Sequence, residues 1–141
     1  MKKSENFIER RILWAAGRHN LPSENGHLYQ DIELKNYSGL ELRHEEHFGR
    51  PVYFFFEDEK NWTTLGTRGI CGVNDSTFNS IEYTDIQDLC GFDKLKSGMT
   101  RKEDLNELKV ITSQKEIVFK SMSGGDFFAL WNICLMLQRI S

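Results

Sequence analysis

His44-Glu45-Glu46-His47 is the densest group of metal-ligating and proton-transferring side chains in the sequence. Catalytic zinc needs three protein ligands and an open position. The zincin pattern, His-Glu-x-x-His, sets its histidines four apart; here they are three apart, and no neighbouring Cys or His supplies a third ligand. These four residues therefore read as a solvated polar segment, and no metal is expected. Nucleophilic catalysis would need a Ser or Cys beside a base that is itself oriented by an acid. Gly-x-Ser-x-Gly is absent, and His19, His27, His44 and His47 all fall in the first third of the chain. Cys71, Cys90 and Cys134 follow Ile70, Leu89 and Ile133. Such apolar contexts suit buried, inert thiols, since reactive ones need exposed, electropositive surroundings. No catalytic residue and no cofactor are expected.

The remaining chemical candidates are glycines, charges and indoles. Gly66, Gly69 and Gly72 recur every three residues, which is not Gly-x-Gly-x-x-Gly, and they read as bends in a curved strand. Gly124-Gly125 precedes a helical pattern, but Asp126 would repel an anion there. Glu57 with Asp58, and Asp85 with Asp88, have no special spacing and read as solvent-facing or capping groups. Lys94, Lys96, Arg101 and Lys102 stand out in a chain of net charge −3. That loop reads first as charged surface and second as a site for anionic lipid headgroups or phosphate. Trp62 begins a strand beside a turn, where an aromatic can anchor a partner, although packing is the stronger reading; Trp131 falls at core spacing.

These residues must be positioned by elements that the hydrophobic period defines. With 141 residues the chain suits one domain spanning 1–141, and 39% hydrophobic against 28% charged residues is a globular balance. An aromatic share of 12% leans toward sheet. Ser4 can cap a helix over residues 4–19, with Ile8, Ile12 and Ala15 or Ala16 on one face and Asn20 and Pro22 ending it. Ser23 to Gly26 reads as a turn. From Leu28 to Thr84 the period becomes strand-like, with alternation at Ile32/Leu34 and at Leu40/Leu42. Pro51 to Phe56 predicts a central strand buried on both faces. A turn at Glu59-Lys60-Asn61 leads into Trp62–Thr67, Ile70 to Val73 continues the sheet, and Asn74-Asp75-Ser76 turns into an alternating Ser80–Thr84. Glu107–Thr112 and Glu116–Lys120 predict a hairpin turning at Ser113-Gln114-Lys115. Ser123-Gly-Gly-Asp126 has capping-box form, and Phe127, Leu130, Trp131, Cys134 and Leu137 repeat at helical spacing behind it. Phe128, Ile133, Leu135, Met136 and Ile140 widen that apolar stripe, which predicts a helix buried on most sides.

Thr64-Leu-Gly-Thr-Arg-Gly-Ile70 followed by Ser80-Ile-Glu-Tyr-Thr-Asp-Ile86 resembles the pattern of bacterial pleckstrin-homology-like and GRAM-like domains. There a strand of the form L-x-T-x-x-(G)-I precedes I-x-Y-x-D-I after a hairpin. The resemblance covers roughly residues 50–141; the N-terminal helix and residues 20–49 lie outside it. It implies an α+β fold, mainly β: a strongly bent antiparallel sheet or barrel of about seven strands, plugged by the C-terminal helix. Such folds host lipid, peptide and protein binding alike, so function has to come from the site.

The expected function is a non-catalytic binding module for a protein or peptide partner, in the manner of an immunity or adaptor protein. The alternative is an anionic-lipid or phosphate binder using Lys94 to Lys102. Nucleic acid is disfavoured by the acidic balance. No signal peptide, disulfide framework or apolar run of about 18 residues is present, which leads to an expectation of no transmembrane segment and a cytoplasmic location.

Overall fold

Ser4 does start the first helix. Its Oγ accepts the Phe7 N–H at 3.1 Å, satisfying one of the donors that a helix N-terminus leaves open. In the computed structural model, which describes residues 4–18, 26–28, 49–58, 60–90, 107–120 and 125–140, helix α1 runs Glu5–Arg18 and buries Ile8, Ile12, Ala15 and Ala16. That face packs on the last helix and on strand β2.

Five antiparallel strands follow in the order of the chain: β1 (Gly26–Leu28), β2 (Pro51–Asp58), β3 (Asn61–Gly66), β4 (Gly69–Asn74) and β5 (Thr77–Glu82). Pro51 opens β2, the strand position at which a missing N–H is best tolerated. Asp58 closes the β2–β3 turn by accepting the Lys60 N–H at 2.8 Å. Residues directly opposite share a face, so Tyr53, Leu65, Ile70 and Ile81 form one cross-strand row on the core side. Phe56, Trp62, Val73 and Phe78 form a second row on the other side.

The β4–β5 turn carries strain. Asp75 and Ser76 have φ of 50° and 69°, left-handed values that two-residue hairpins require and that non-glycine residues resist. Replacing Ser76 with Gly is expected to stabilise the protein by about 1 kcal/mol, read as a higher urea midpoint with an unchanged slope.

Alternation through Ser80–Thr84 predicted a longer strand than forms. β5 ends at Glu82, and Tyr83–Asp85 make a 3-10 turn. The cause is Tyr83, fully buried, whose hydroxyl donates to the Gly66 carbonyl at 2.8 Å while its N–H binds the Arg68 carbonyl. A straight strand would not bring that ring beneath the β3–β4 turn.

A second antiparallel sheet joins β6 (Asp88–Cys90), β7 (Glu107–Ile111) and β8 (Glu116–Lys120) in that order. The predicted β7–β8 hairpin forms, with the Thr112 N–H bonded to the Lys115 carbonyl at 2.9 Å. Helix α2 (Gly125–Ile140) then buries Phe127, Ala129, Leu130, Ile133, Cys134 and Leu137 completely. Its opposite side is less covered than the sequence suggested: Phe128, Trp131, Leu135, Met136 and Ile140 are partly buried and Asn132 is exposed. One apolar cluster joins α1, the inner faces of both sheets and α2.

The fold class is α+β, mainly strand and antiparallel, with a helix at each end. The expected barrel closure does not occur. Among the described residues there are eight strands in two separate ladders, because the Tyr83–Asp85 turn breaks the chain away from β5 and β6 pairs with β7 instead. The sheets are joined by packing of β8 against β3 and β4, and by the Thr63 hydroxyl donating to the Lys120 carbonyl. The alternations at Ile32/Leu34 and Leu40/Leu42 lie outside the described residues.

Candidate functional site

Failure to close leaves an open groove where the two sheets diverge. Its volume is ≈ 520 Å³. One wall is the end of β5 and the following turn, Ser80 to Gln87; the other is the β7–β8 hairpin, Thr112 to Lys115, with Ile117. Both walls are pinned. The Gln138 side-chain amide on α2 donates to the carbonyls of Ile86 and Gln87 at 3.2 and 3.1 Å, and the Gln87 N–H binds the Ile111 carbonyl at 2.8 Å. Across the groove, Thr112 Oγ1 accepts the N–H groups of Gln114 and Lys115 at 3.2 and 3.1 Å. A site already held in shape loses little entropy when it is filled.

β8 is the edge strand of the second sheet, and its turn end borders this groove. In an antiparallel pair, hydrogen-bonded and non-bonded positions alternate. With Thr112 bonded to Lys115 across the turn, the backbone groups of Glu116, Val118 and Lys120 turn away from β7. The Lys120 carbonyl, which takes the Thr63 hydroxyl, points as that alternation requires. No backbone hydrogen bond engages Glu116 or Val118 from that side among the described residues.

The groove is polar and mildly acidic. Among the described residues of its lining only Ile81 and Ile117 are apolar, and Glu82 and Asp85 are set against a single cation, Lys115. Glu116 stands next to Lys115 and pairs with Lys109 at 3.6 Å on the exposed surface, a contact worth at most about 1 kcal/mol. Pockets for small apolar ligands are lined mainly by hydrophobic and aromatic side chains; this one is not.

A second polar cluster fastens α1 to the β3–β4 turn. Glu5 accepts the Thr67 hydroxyl at 2.6 Å, Thr67 Oγ1 in turn accepts the Arg50 N–H at 2.9 Å, and Arg50 reaches Asn6 at 2.9 Å and Glu9 at 3.3 Å. The Thr67 hydroxyl, helped by Arg68 and Arg50, holds the Glu5 carboxyl below the usual carboxylate range despite some desolvation. Gly49, at φ 83°, lets the chain pass against Thr67 and Glu5.

Lys94, Lys96, Arg101, Lys102 and the His44–His47 group lie outside the described residues. Trp62 is 4% exposed, so its ring packs in the Phe56–Val73–Phe78 row and offers no free face to a partner. Cys71 and Cys134 are buried, and burial pushes the Cys134 thiol up to about 12. Glu57, Asp58, Asp85 and Asp88 are exposed, and Asp58 and Asp88 cap local N–H groups. Among the described residues no three His, Cys, Asp or Glu side chains gather in metal-binding range, and no helix is long and apolar enough to cross a membrane.

No protein-family model matches this chain, and neither a curated protein nor a solved structure matches it. Its function therefore rests on its own geometry. The groove residues escaped notice in the sequence because Ser, Thr, Gln and isolated acids in two segments about 30 residues apart carry no motif. The usable signal was the Ser113-Gln114-Lys115 turn; its nearness to Glu82 and Asp85 is set by the tertiary fold.

Proposed function

We propose that the chain is a non-catalytic binding module that takes an extended peptide segment of a protein partner into the groove between the two sheets. The observation that carries this is the preformed groove of ≈ 520 Å³ bordered by the β7–β8 hairpin, whose edge strand β8 turns the backbone groups of Glu116 and Val118 away from β7. Strand addition draws its affinity from main-chain hydrogen bonds and its selectivity from flanking side chains. Here the lining charges, Glu82 and Asp85 against Lys115, select a segment that carries Lys or Arg.

Two further features support the reading. Four consecutive antiparallel strands, then three more, then a closing helix follow the element order of the pleckstrin-homology-like pattern that residues 50–141 resemble. Among the described residues the strongly shifted groups, Tyr83, Tyr53 and Cys134, owe their shifts first to burial in the core.

Selecting from a random peptide library on the immobilised whole chain tests this reading. Enriched sequences should hold one or more basic residues and no proline in the central segment. Titrated into isotopically labelled protein, they should shift the amides of Glu116, Ile117 and Val118 together with those of Glu82 to Asp85. Absence of enrichment, or shifts confined to other surfaces, would remove the groove as the site.

A further inference from the structure

The outer face of α1 carries a charge pattern that the groove does not use. Trp14 and Leu13 are the exposed large apolar residues among the described ones, at 51% and 40%. Trp14 is held between two guanidinium groups, with Arg11 4.7 Å and Arg18 5.0 Å from its ring centroid. Cation–π contacts of this length fix the ring without neutralising either charge. Arg10 lies on the same exposed side.

The acids of the helix are directed elsewhere. Glu5 is bonded to Thr67 and lies 3.9 Å from Arg68, and Glu9 is paired with Arg50. No carboxylate pairs with Arg10, Arg11 or Arg18 among the described residues. A protein of net charge −3 thus keeps a face of three arginines around an indole and a leucine. The opposite face, Ile8, Ile12, Ala15 and Ala16, is committed to the core, so only the arginine face is available.

We propose that this face docks the protein on an anionic lipid surface, with α1 lying in the interfacial plane. Helices that bind there combine Lys or Arg with Trp, Phe or Leu. Indole rings settle at headgroup depth, and each basic side chain near an anionic leaflet adds a comparable increment of attraction. Charge complementarity selects the partner: a neutral bilayer gives the three guanidinium groups nothing to bind.

The experiment uses the whole chain and vesicles of phosphatidylcholine with or without phosphatidylserine, at low and at physiological salt. The protein should pellet with the anionic vesicles only, and less so as salt rises. Brominated acyl chains should quench its tryptophan emission, and Trp14→Phe should abolish most of that quenching, since Trp62 is buried and Trp131 half-buried. Removing each arginine should cost about five-fold in vesicle affinity, so an Arg11→Gln/Arg18→Gln variant should bind roughly 25-fold more weakly. Both side chains lie outside the core, and a circular dichroism spectrum matching the parent excludes misfolding as the cause. Failure to pellet at low salt, equal binding to neutral vesicles, undiminished binding by the double variant, or binding to poly-glutamate or single-stranded DNA without vesicle binding would each overturn the proposal. Because none of these readouts depends on a bound peptide, their failure leaves the groove untouched.

Discussion

Phe127→Ala is expected to lower the stability of the protein by about 3–5 kcal/mol, the largest effect of any single truncation considered. Phe127 is fully buried in the first turn of α2, with its ring set edge-on to Phe128 at 5.3 Å. The cluster it enters is the one that α1, both sheets and α2 share. Loss of the ring leaves a cavity bordered by elements that cannot all move inward, because the sheets are tied by β8 and by the Thr63–Lys120 bond. Set against a total stability of about 5–15 kcal/mol for an ordinary domain, such a loss brings the variant close to unfolding at room temperature. A urea titration followed by circular dichroism measures it. A change of less than about 1 kcal/mol would mean that α2 is not the stopper of the core.

Gly72→Ala is expected to be nearly as damaging for the opposite reason. A Cβ at Gly72 would meet the Trp62 carbonyl oxygen closer than real Cβ atoms come to any atom, with Thr63 Cα at 3.1 Å and Thr63 Oγ1 at 3.2 Å. The obstacle is backbone, which has no rotamer to escape into, so β3 and β4 must part. Overpacking of this kind costs about 1–3 kcal/mol, sometimes more. Here it also disturbs Thr63, whose hydroxyl links the first sheet to β8. Gly17→Ala supplies the control of opposite sign: nothing lies within 4 Å of its added Cβ in α1, and alanine should stabilise that helix by about 0.5–1 kcal/mol. If both substitutions proved neutral, the close approach of β3 and β4 at Gly72 would be wrong.

The elements whose signals are local were legible in the sequence. Ser4 and the Ile8–Ile12–Ala16 stripe define α1, and the apolar run after Pro51 defines β2. Three of the four hairpin turns among the described residues fall where Asp58, Asp75 and Thr112 mark them, each by a polar side chain or a left-handed residue at the bend; the fourth, between β3 and β4, reads in the sequence as a bend at Gly66 and Gly69 and is a turn between two strands. What failed was closure. Tyr83 alternates with Ile81 and so reads as strand, yet its hydroxyl is drawn to the Gly66 carbonyl, a partner 17 residues away that no window of periodicity includes. β6, only three residues long, is too short to show a period, and it exists because β7 is there to pair with it. The candidate site suffers from the same cause. Its walls are unremarkable polar segments, and only the divergence of two sheets turns them into a groove. Trp62 was better served by its type: packing is the stronger reading beside its turn, and cross-strand neighbours on both sides bury it.

The groove's claim to function rests on one row of backbone groups, and Val118→Pro tests it most directly. The Val118 N–H points away from β7, so proline there removes no hydrogen bond of the existing ladder, and edge strands tolerate proline for that reason. Its only intended casualty is the donor that an added strand would use. Affinity for the library-selected peptides, measured by fluorescence anisotropy, should fall about ten-fold, the worth of one well-formed hydrogen bond at a desolvated edge, while the thermal midpoint stays within a few degrees of the parent. Peptides that bind the proline variant as tightly as the parent would show that β8 is not where the partner pairs.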